Sequence, residues 1–237
     1  LRGFWRRKNH LADGCRFAIL VYALVVSERI MSPATDFSSM YLVLWVICIW
    51  ADLLTSDKNA ELMQIHGYAL LSVAAVFVAT CKLSAGCLVI LALYPLVKLL
   101  RRRQWKRIFI YIFCGVLVLA PWLIRNVLIS GWLLYPFTAL DLFHVDWKIP
   151  AEYVQHDSDQ IKVWGRCLYD VARIDESPLS WFPVWWAEKR REEMMLLIGN
   201  VIALAGLALG GVYTVFVRRE KLPWDKMMLY VAILCSI

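Results

Sequence analysis

Long apolar runs alternate with short polar connections along this chain of 237 residues. The longest runs cover residues 40–54, 108–124 and 194–217. A helix needs about 20 mostly apolar residues to cross the roughly 30 Å hydrocarbon core of a bilayer, because each residue adds about 1.5 Å. The pattern therefore predicts an all-α protein, a polytopic transmembrane helical bundle.

Three other apolar runs are shorter than a complete span. Residues 17–26 form the first, and residues 68–81 and 85–97 flank a polar interruption at Lys82. The flanking pair fits either two tilted spans or two helices that meet at depth in the membrane beside a cavity. Because the chain does not begin with methionine and a new apolar run starts at Met227, we expect a fragment that is cut at both ends.

Composition favours a multi-spanning membrane protein over a soluble enzyme. Apolar residues make up 61% of the chain and the mean hydropathy is +0.58, well above the values of soluble domains. The net charge is +7, and basic clusters in short loops mark the cytoplasmic side. The second and third clusters lie between apolar runs, which argues against a nucleic-acid surface. The clusters are Arg2, Arg6, Arg7, Lys8 and Arg16, then Lys98, Arg101, Arg102, Arg103, Lys106 and Arg107, then Arg218, Arg219, Lys221 and Lys226.

The charge pattern divides the chain into three parts. Residues 1–127 form transmembrane helices with short loops, residues 128–193 form one long extracytoplasmic loop, and residues 194–237 return to the membrane. The protein is predicted to lie in the plasma membrane with this loop outside.

The loop is rich in tryptophan, a residue that suits both an interfacial belt and stacking on sugar rings. The belt is favoured for Trp181, Trp185 and Trp186, because they lie close to the next apolar run. For Trp132 and Trp147 the two interpretations are evenly balanced.

No motif for a metal or a nucleotide is present in the sequence. The seven cysteines form no C-x-x-C pair and no zinc spacing with histidine, and the separation of His144 and His156 fits no metal motif. Phosphate-binding glycine loops and nucleophile elbows are also absent. We predict no metal ligand, and the sequence does not identify a cofactor.

The end of the second long apolar run carries the first candidate site. Arg125 and Asn126 follow Pro121 there, and such polar residues are costly in a bilayer unless they face a wet cavity or bind something. The guanidinium fork of arginine suits phosphate oxygens. The alternative is an arginine that only extends to the lipid head groups, but Gly131 and Pro136 favour a shaped loop.

Several motifs lie around this site and elsewhere in the chain. They are Pro121-Trp122-x-x-Arg125-Asn126, Ser130-Gly131, Tyr135-Pro136-Phe137, Lys82-Leu83-Ser84, and residues 32–36 and 141–150. Together they resemble motifs of bacterial multi-pass membrane glycosyltransferases of the GT-C class and of related uncharacterised envelope-polysaccharide proteins. The resemblance implies transfer of sugar from a polyprenyl-phosphate donor to a glycan or lipid acceptor at the outer face of the plasma membrane.

Sugar transfer from a lipid phosphate requires particular side chains. A carboxylate takes the proton of the acceptor, and cations stabilise the departing phosphate. The candidates are Asp36, Asp141 and Asp146 for catalysis, Lys82 and Arg125 for phosphate binding, Asn126 for substrate binding, and Trp132, Tyr135 and Trp147 for contacts with the sugar.

Asp36 and Lys82 are the two candidates that precede Arg125 in the chain. GT-C enzymes usually carry the catalytic carboxylate in their first outer loop, which this fragment is expected to lack, and Asp36 could equally be a helix N-cap. Lys82 interrupts an apolar stretch, where inserting an unpaired ammonium costs about 2.5–3.5 kcal/mol, so it is kept as a ligand-binding residue.

Two other classes of function share these features. One is a transporter or flippase for lipid-linked sugars, and the other is a non-catalytic membrane subunit of a polysaccharide assembly complex. A transporter would place its polar residues near mid-membrane between repeated halves, and the sequence has no internal repeat. We predict the transferase, with membrane lipid, a polyprenyl-phosphate sugar donor and no nucleic acid among its partners.

Overall fold

The computed structural model describes residues 10–25, 35–55, 61–212 and 227. All regular secondary structure in these residues is helical, which confirms the predicted all-α class for this part of the chain. The α-helices are α1 (His10–Val25), α2 (Thr35–Thr55), α3 (Glu61–Cys81), α4 (Leu93–Arg101), α5 (Trp105–Ser130), α6 (Ala151–Gly165), α7 (Pro178–Glu188) and α8 (Arg191–Val212). Two 3-10 helices cover Leu83–Ala92 and Val171–Arg173.

Some features predicted from the sequence lie outside the described residues. They are four basic residues of the first cluster, the whole third cluster, the first part of the loop after residue 26, and the apolar run beyond Met227. The described member of the first cluster, Arg16, pairs with Asp52 on α2 and with Asp13 at 3.0 Å. The N-terminal half of α1 therefore lies beside the C-terminal end of α2.

Within the described residues, three helical stretches are long and apolar enough to cross a membrane. They are Met63–Cys81, Leu83–Arg101 and Trp105–Ser130, and the apolar helix Ser38–Leu54 is shorter. The stretches on either side of Lys82 have 19 residues each, more than the apolar runs predicted there. The difference arises because both stretches also contain residues that the hydrophobic pattern assigns to connections, namely residues 63–67 before Lys82 and residues 83–84 and 98–101 after it.

The stretch after Lys82 begins as a 3-10 helix of ten residues and continues as α4. A 3-10 helix rises about 2.0 Å per residue and an α-helix about 1.5 Å, so the whole stretch extends about 33 Å instead of about 28 Å. That length matches the roughly 30 Å hydrocarbon core. Lys82 has an extended backbone (φ −147°, ψ 118°). It lies between the last residue of one stretch, Cys81, and the first residue of the next, Leu83.

Aromatic side chains form the centre of the packing between α2, α3, the 3-10 helix and α4. Trp50, Tyr68 and Leu88 are fully buried. The ring centroids of Trp50 and Tyr68 are 4.4 Å apart, and Tyr94 contacts the ring of Tyr68 edge-on at 5.0 Å. Helix α5 contributes far less to this packing, because only 6% of its most apolar segment of 18 residues is buried, against 39% for the corresponding segment of α3.

The chain divides into two compact units. The first unit comprises Leu1–Leu119 with Asn200–Ile237, and the second comprises Ala120–Gly199. Helices α1 to α4 belong to the first unit, and α6 and α7 belong to the second. Helices α5 and α8 each begin in one unit and end in the other.

Replacing Trp50 with alanine should destabilise the first unit, because the buried ring contacts both Tyr68 and Tyr94. Loss of a large buried aromatic side chain typically costs about 3–5 kcal/mol. Trp45→Ala is the matched control, since Trp45 lies on the same helix and is 47% exposed. The unfolding temperature of the purified protein in detergent should decrease strongly for Trp50→Ala and should stay near the wild-type value for Trp45→Ala. Equal decreases for the two variants would contradict this core.

Candidate functional site

Helix α5 continues beyond its apolar run and ends at Ser130, with Pro121 inside it. The hydroxyl of Ser130 donates to the carbonyl of Asn126 at 2.7 Å and accepts from the backbone N–H of Trp132 at 3.1 Å. Between them, Gly131 has a φ of +75°. A glycine in this left-handed conformation commonly ends a helix, so the end of α5 is specified by local sequence.

The backbone of Gly131 lies directly against Lys148. A Cβ atom at position 131 would be 2.8 Å from the Cα, Cβ and Cγ atoms of Lys148. The position therefore requires glycine for space as well as for its φ. Next to this contact, the backbone N–H of Ile149 donates to the carbonyl of Ser130 at 3.0 Å. The residues before α6 thus run alongside the end of α5.

Trp132 is the buried centre of this arrangement. It is 2% exposed, and its indole N–H donates to the carbonyl of Ile149 at 2.9 Å. The ammonium of Lys148 lies 4.3 Å from the centroid of its ring, which is a cation–π contact. Trp132 therefore holds the segment together, and it has no open ring face for a sugar.

Lys148 also neutralises one of the candidate carboxylates. It forms an ion pair with Asp141 and donates to the carbonyl of Phe143 at 2.7 Å. The side chain of Lys148 is 16% exposed and that of Asp141 is 50% exposed. Lys148 is not among the candidates predicted from the sequence, although it is the only Lys or Arg between Arg125 and Lys162. Its position as a single cation among several Asp and Glu residues is the feature of the sequence that could have identified it.

Tyr135 connects the loop to α6. Its hydroxyl donates to the carboxylate of Asp157, and Thr138 donates to Gln155 on the same helix at 3.2 Å. The pKa of Tyr135 is raised to about 12, chiefly by the hydrogen bond to Asp157 and to a smaller extent by partial burial. The hydroxyl is thus protonated at neutral pH and serves as a donor. Asp157 was not among the candidates, because nothing in the sequence pairs it with Tyr135.

Arg125 and Asp146 are exposed, and neither has a hydrogen-bond or ion-pair partner among the residues that the structure describes. The amide of Asn126 donates at 3.2 Å to a carbonyl seven residues later, so it closes the turn after α5. Trp147 is 56% exposed, and its indole N–H donates to the carbonyl of Val127 at 3.4 Å. This hydrogen bond joins Trp147, the residue after Asp146, to α5, the helix that contains Arg125.

Two candidates, Asp36 and Lys82, belong to the first unit, and the others belong to the second. Asp36 lies in the first turn of α2, and its side chain is outside the described part of the protein. Lys82 is half-buried, and its carbonyl accepts the N–H of Ala85 at 2.9 Å. Within the described residues, no group of three or more His, Cys, Asp or Glu side chains could hold a metal ion.

Helix α7 carries a set of surface aromatic rings. None of its residues is buried, and Phe182 stacks on Trp185 with their centroids 5.7 Å apart. The guanidinium of Arg166 lies 5.6 Å from the ring of Trp181, and the ammonium of Lys189 lies 4.7 Å from the ring of Trp185. Aromatic rings beside cations are typical of the lipid head-group region, so the interfacial belt stays our prediction for this helix.

A family described as a domain of unknown function (DUF8201) matches residues 1–237, the whole chain. No curated protein and no solved structure matches it.

Gly131→Ala should destabilise the second unit. The left-handed conformation costs a non-glycine residue about 1–2 kcal/mol, and the new Cβ would also displace Lys148. Limited proteolysis should cleave residues 131–150 faster in this variant than in wild type. Gly165→Ala is the control, because a Cβ at Gly165 meets nothing within 4 Å. Unchanged cleavage of Gly131→Ala would show that the segment does not pack in this way.

The hydroxyl of Tyr135 should titrate near pH 12, whereas an ordinary tyrosine titrates near pH 10. Because the folded-state pKa is raised, the contact with Asp157 stabilises fully below about pH 10 and its contribution is lost as the pH rises toward 12. The difference in tyrosinate absorbance between wild type and Tyr135→Phe isolates this group. Asp157→Asn should move the midpoint toward 10. A wild-type midpoint already near 10 would rule out the hydrogen bond.

Proposed function

We propose that this chain, which belongs to the DUF8201 family of domains of unknown function, is an integral membrane glycosyltransferase. It transfers a sugar from a polyprenyl-phosphate donor to a glycan or lipid acceptor in assembly of the cell envelope. Three helices of membrane-spanning length and composition support the membrane setting. The resemblance of the motifs around the end of α5 to GT-C enzymes supports the reaction class.

The observation that carries the proposal is the connection of Asp146 and Trp147 to the end of α5. The indole N–H of Trp147 donates to Val127 at 3.4 Å, two residues after Arg125 on the same helix. An exposed carboxylate, an exposed aromatic ring and an exposed guanidinium therefore belong to one small region. The carboxylate and the guanidinium are the kinds of group that sugar transfer from a lipid phosphate requires, and the ring can stack on the sugar.

In the proposed reaction, a hydroxyl oxygen of the acceptor forms a bond to the anomeric carbon of the donor sugar. The bond between that carbon and the phosphate oxygen breaks, and polyprenyl phosphate leaves with the electron pair. Asp146 takes the proton of the acceptor hydroxyl. Arg125 pairs with the phosphate oxygens and stabilises the charge that develops on them, while Trp147 stacks on the sugar.

The other candidates take different places in this proposal. Asp146 is preferred to Asp141 as the proton acceptor, because the carboxylate of Asp141 is already engaged in an ion pair with Lys148. Lys82 remains a second phosphate-binding candidate, and Asp36 remains an alternative carboxylate. Both assignments rest on the sequence pattern described above.

The proposed setting is the plasma membrane, crossed several times, with the loop of the second unit on the extracytoplasmic side. The supporting feature is the basic connection between α4 and α5, which lies at the opposite end of α5 from Arg125. Such clusters are retained in the cytoplasm. Helix α7 would then lie in the outer head-group layer.

Asp146→Asn should lower kcat by about 10²-fold or more, because general-base catalysis typically contributes 10²–10⁴. Arg125→Gln should lower kcat by about 10²-fold, the lower range for loss of one charge-stabilising donor. The assay is sugar transfer from a labelled polyprenyl-phosphate donor by the full-length protein in membranes. Asp175→Asn and Arg191→Gln are matched controls, since both side chains are exposed in the same unit, and they should retain wild-type rates.

Other results would point elsewhere. Full activity in both variants would remove Asp146 and Arg125 from the reaction. Movement of the lipid-linked sugar across vesicle membranes without transfer would favour the flippase, and neither activity would favour the non-catalytic subunit. Labelling of Cys167 from the cytosolic side would contradict the proposed orientation.

A further inference from the structure

The first unit contains an apolar groove between α3, α4 and α5. Its volume is about 270 Å³, and the side chains that line it include Val73, Val76, Leu96, Ile112 and Val116. All of them lie in helical stretches of membrane-spanning length. A groove of this kind faces hydrocarbon in a bilayer and fits the acyl chain of a lipid.

Three polar side chains are linked at one end of the groove. Tyr111 lines the groove, its hydroxyl lies 2.7 Å from Nδ1 of His66, and Nε2 of His66 contacts the guanidinium of Arg107. A guanidinium can only donate, so Nε2 accepts, and a neutral imidazole carries its proton on Nδ1. His66 then donates to Tyr111, whose own hydroxyl hydrogen stays available for another acceptor.

These groups and the groove lie along one face of α5. Arg107, Tyr111 and Gly115 are four residues apart in succession and therefore lie above one another on the helix. The groove follows α5 from Ile108 to Leu119, which corresponds to about 16 Å of helix. That length is about the depth of one leaflet of a bilayer with a core of roughly 30 Å.

The connection beside this end of the groove is strongly basic. Together with the adjoining ends of α4 and α5 it contains six Lys and Arg residues, and the sequence has no Asp or Glu between Glu61 and Asp141. Arg107 has no carboxylate partner among the described residues. A negatively charged group from outside the chain would satisfy both the guanidinium and the Tyr111 hydroxyl. The six cations are Lys98, Arg101, Arg102, Arg103, Lys106 and Arg107.

We infer that this groove holds an acyl chain of an anionic phospholipid, with the lipid phosphate against Arg107 and Tyr111. The lipid lies in the leaflet on the side of the connection between α4 and α5. Basic pockets between transmembrane helices bind acidic head groups for the same reason. The site is independent of the proposed sugar transfer, so either can fail without the other.

The test of the head group uses the full-length protein purified in detergent. The protein is equilibrated with equal amounts of phosphatidylglycerol and phosphatidylcholine of identical acyl chains, and retained lipids are counted by native mass spectrometry. Wild type should retain phosphatidylglycerol in preference. Arg107→Gln should reduce that preference about five-fold, the effect expected for one cation near a lipid phosphate, and Arg107→Lys should preserve most of it. Equal retention of the two lipids by wild type would overturn the inference.

The test of the groove uses Gly115→Leu. A Cβ at Gly115 meets nothing within 4 Å, so the larger side chain can fill the groove without displacing its walls, and retention of both lipids should fall. Gly199→Leu is the matched control, because a Cβ there also meets nothing within 4 Å, and it should bind as wild type does. Unfolding temperatures measured in parallel show that the variants are folded. Folded Gly115→Leu protein that retains phosphatidylglycerol like wild type would place the lipid elsewhere.

Discussion

The approach of Gly131 to Lys148 is the contact on which the arrangement of the second unit depends. No Cβ fits between them, and only because glycine stands there can the chain leave α5 and pass beside the residues before α6. Trp132 is then enclosed, with its indole N–H on the carbonyl of Ile149 and its ring under the ammonium of Lys148. The ammonium in turn is satisfied by Asp141 and by a backbone carbonyl. A loop of mostly polar residues thereby acquires a small core of its own beside a helix of membrane-spanning length.

Packing in the first unit follows a different logic. Lipid tails are as apolar as the side chains, so helices gain little from leaving lipid and associate through close contact and ring packing. Trp50, Tyr68 and Tyr94 supply that contact between α2, α3 and α4. The 3-10 helix lengthens its stretch enough to cross the hydrocarbon core. Helix α5 stays at the margin of this packing, with 6% of its most apolar window buried, and the space left beside it is the groove that we assign to a lipid chain.

The two ends of α5 carry cations in opposite surroundings. Arg107 belongs to a basic connection in a long stretch that lacks acidic residues, a setting that attracts a permanent anion and holds it. Arg125 is followed by a loop that contains Asp141 and Asp146, so cation and carboxylate can act on one substrate whose charge changes during reaction. The same side chain thus suits lipid binding at one end and our proposed phosphate departure at the other, because the neighbouring charges differ.

The sequence by itself determined the helical class, the interruption at Lys82 and the position of the basic clusters, because hydropathy and turn chemistry act over a few neighbouring residues. It also predicted a shaped loop around Gly131, which directly follows the end of α5. Only the tertiary structure decided that Trp132 is covered while Trp147 is open, since the cover over Trp132 comes from residues near position 148 that are distant from it in the sequence. It also decided the pairs Lys148 with Asp141 and Tyr111 with His66, which join residues 7 and 45 positions apart. Such pairs depend on how helices and loops pack in space, and no local pattern of polar and apolar residues encodes that.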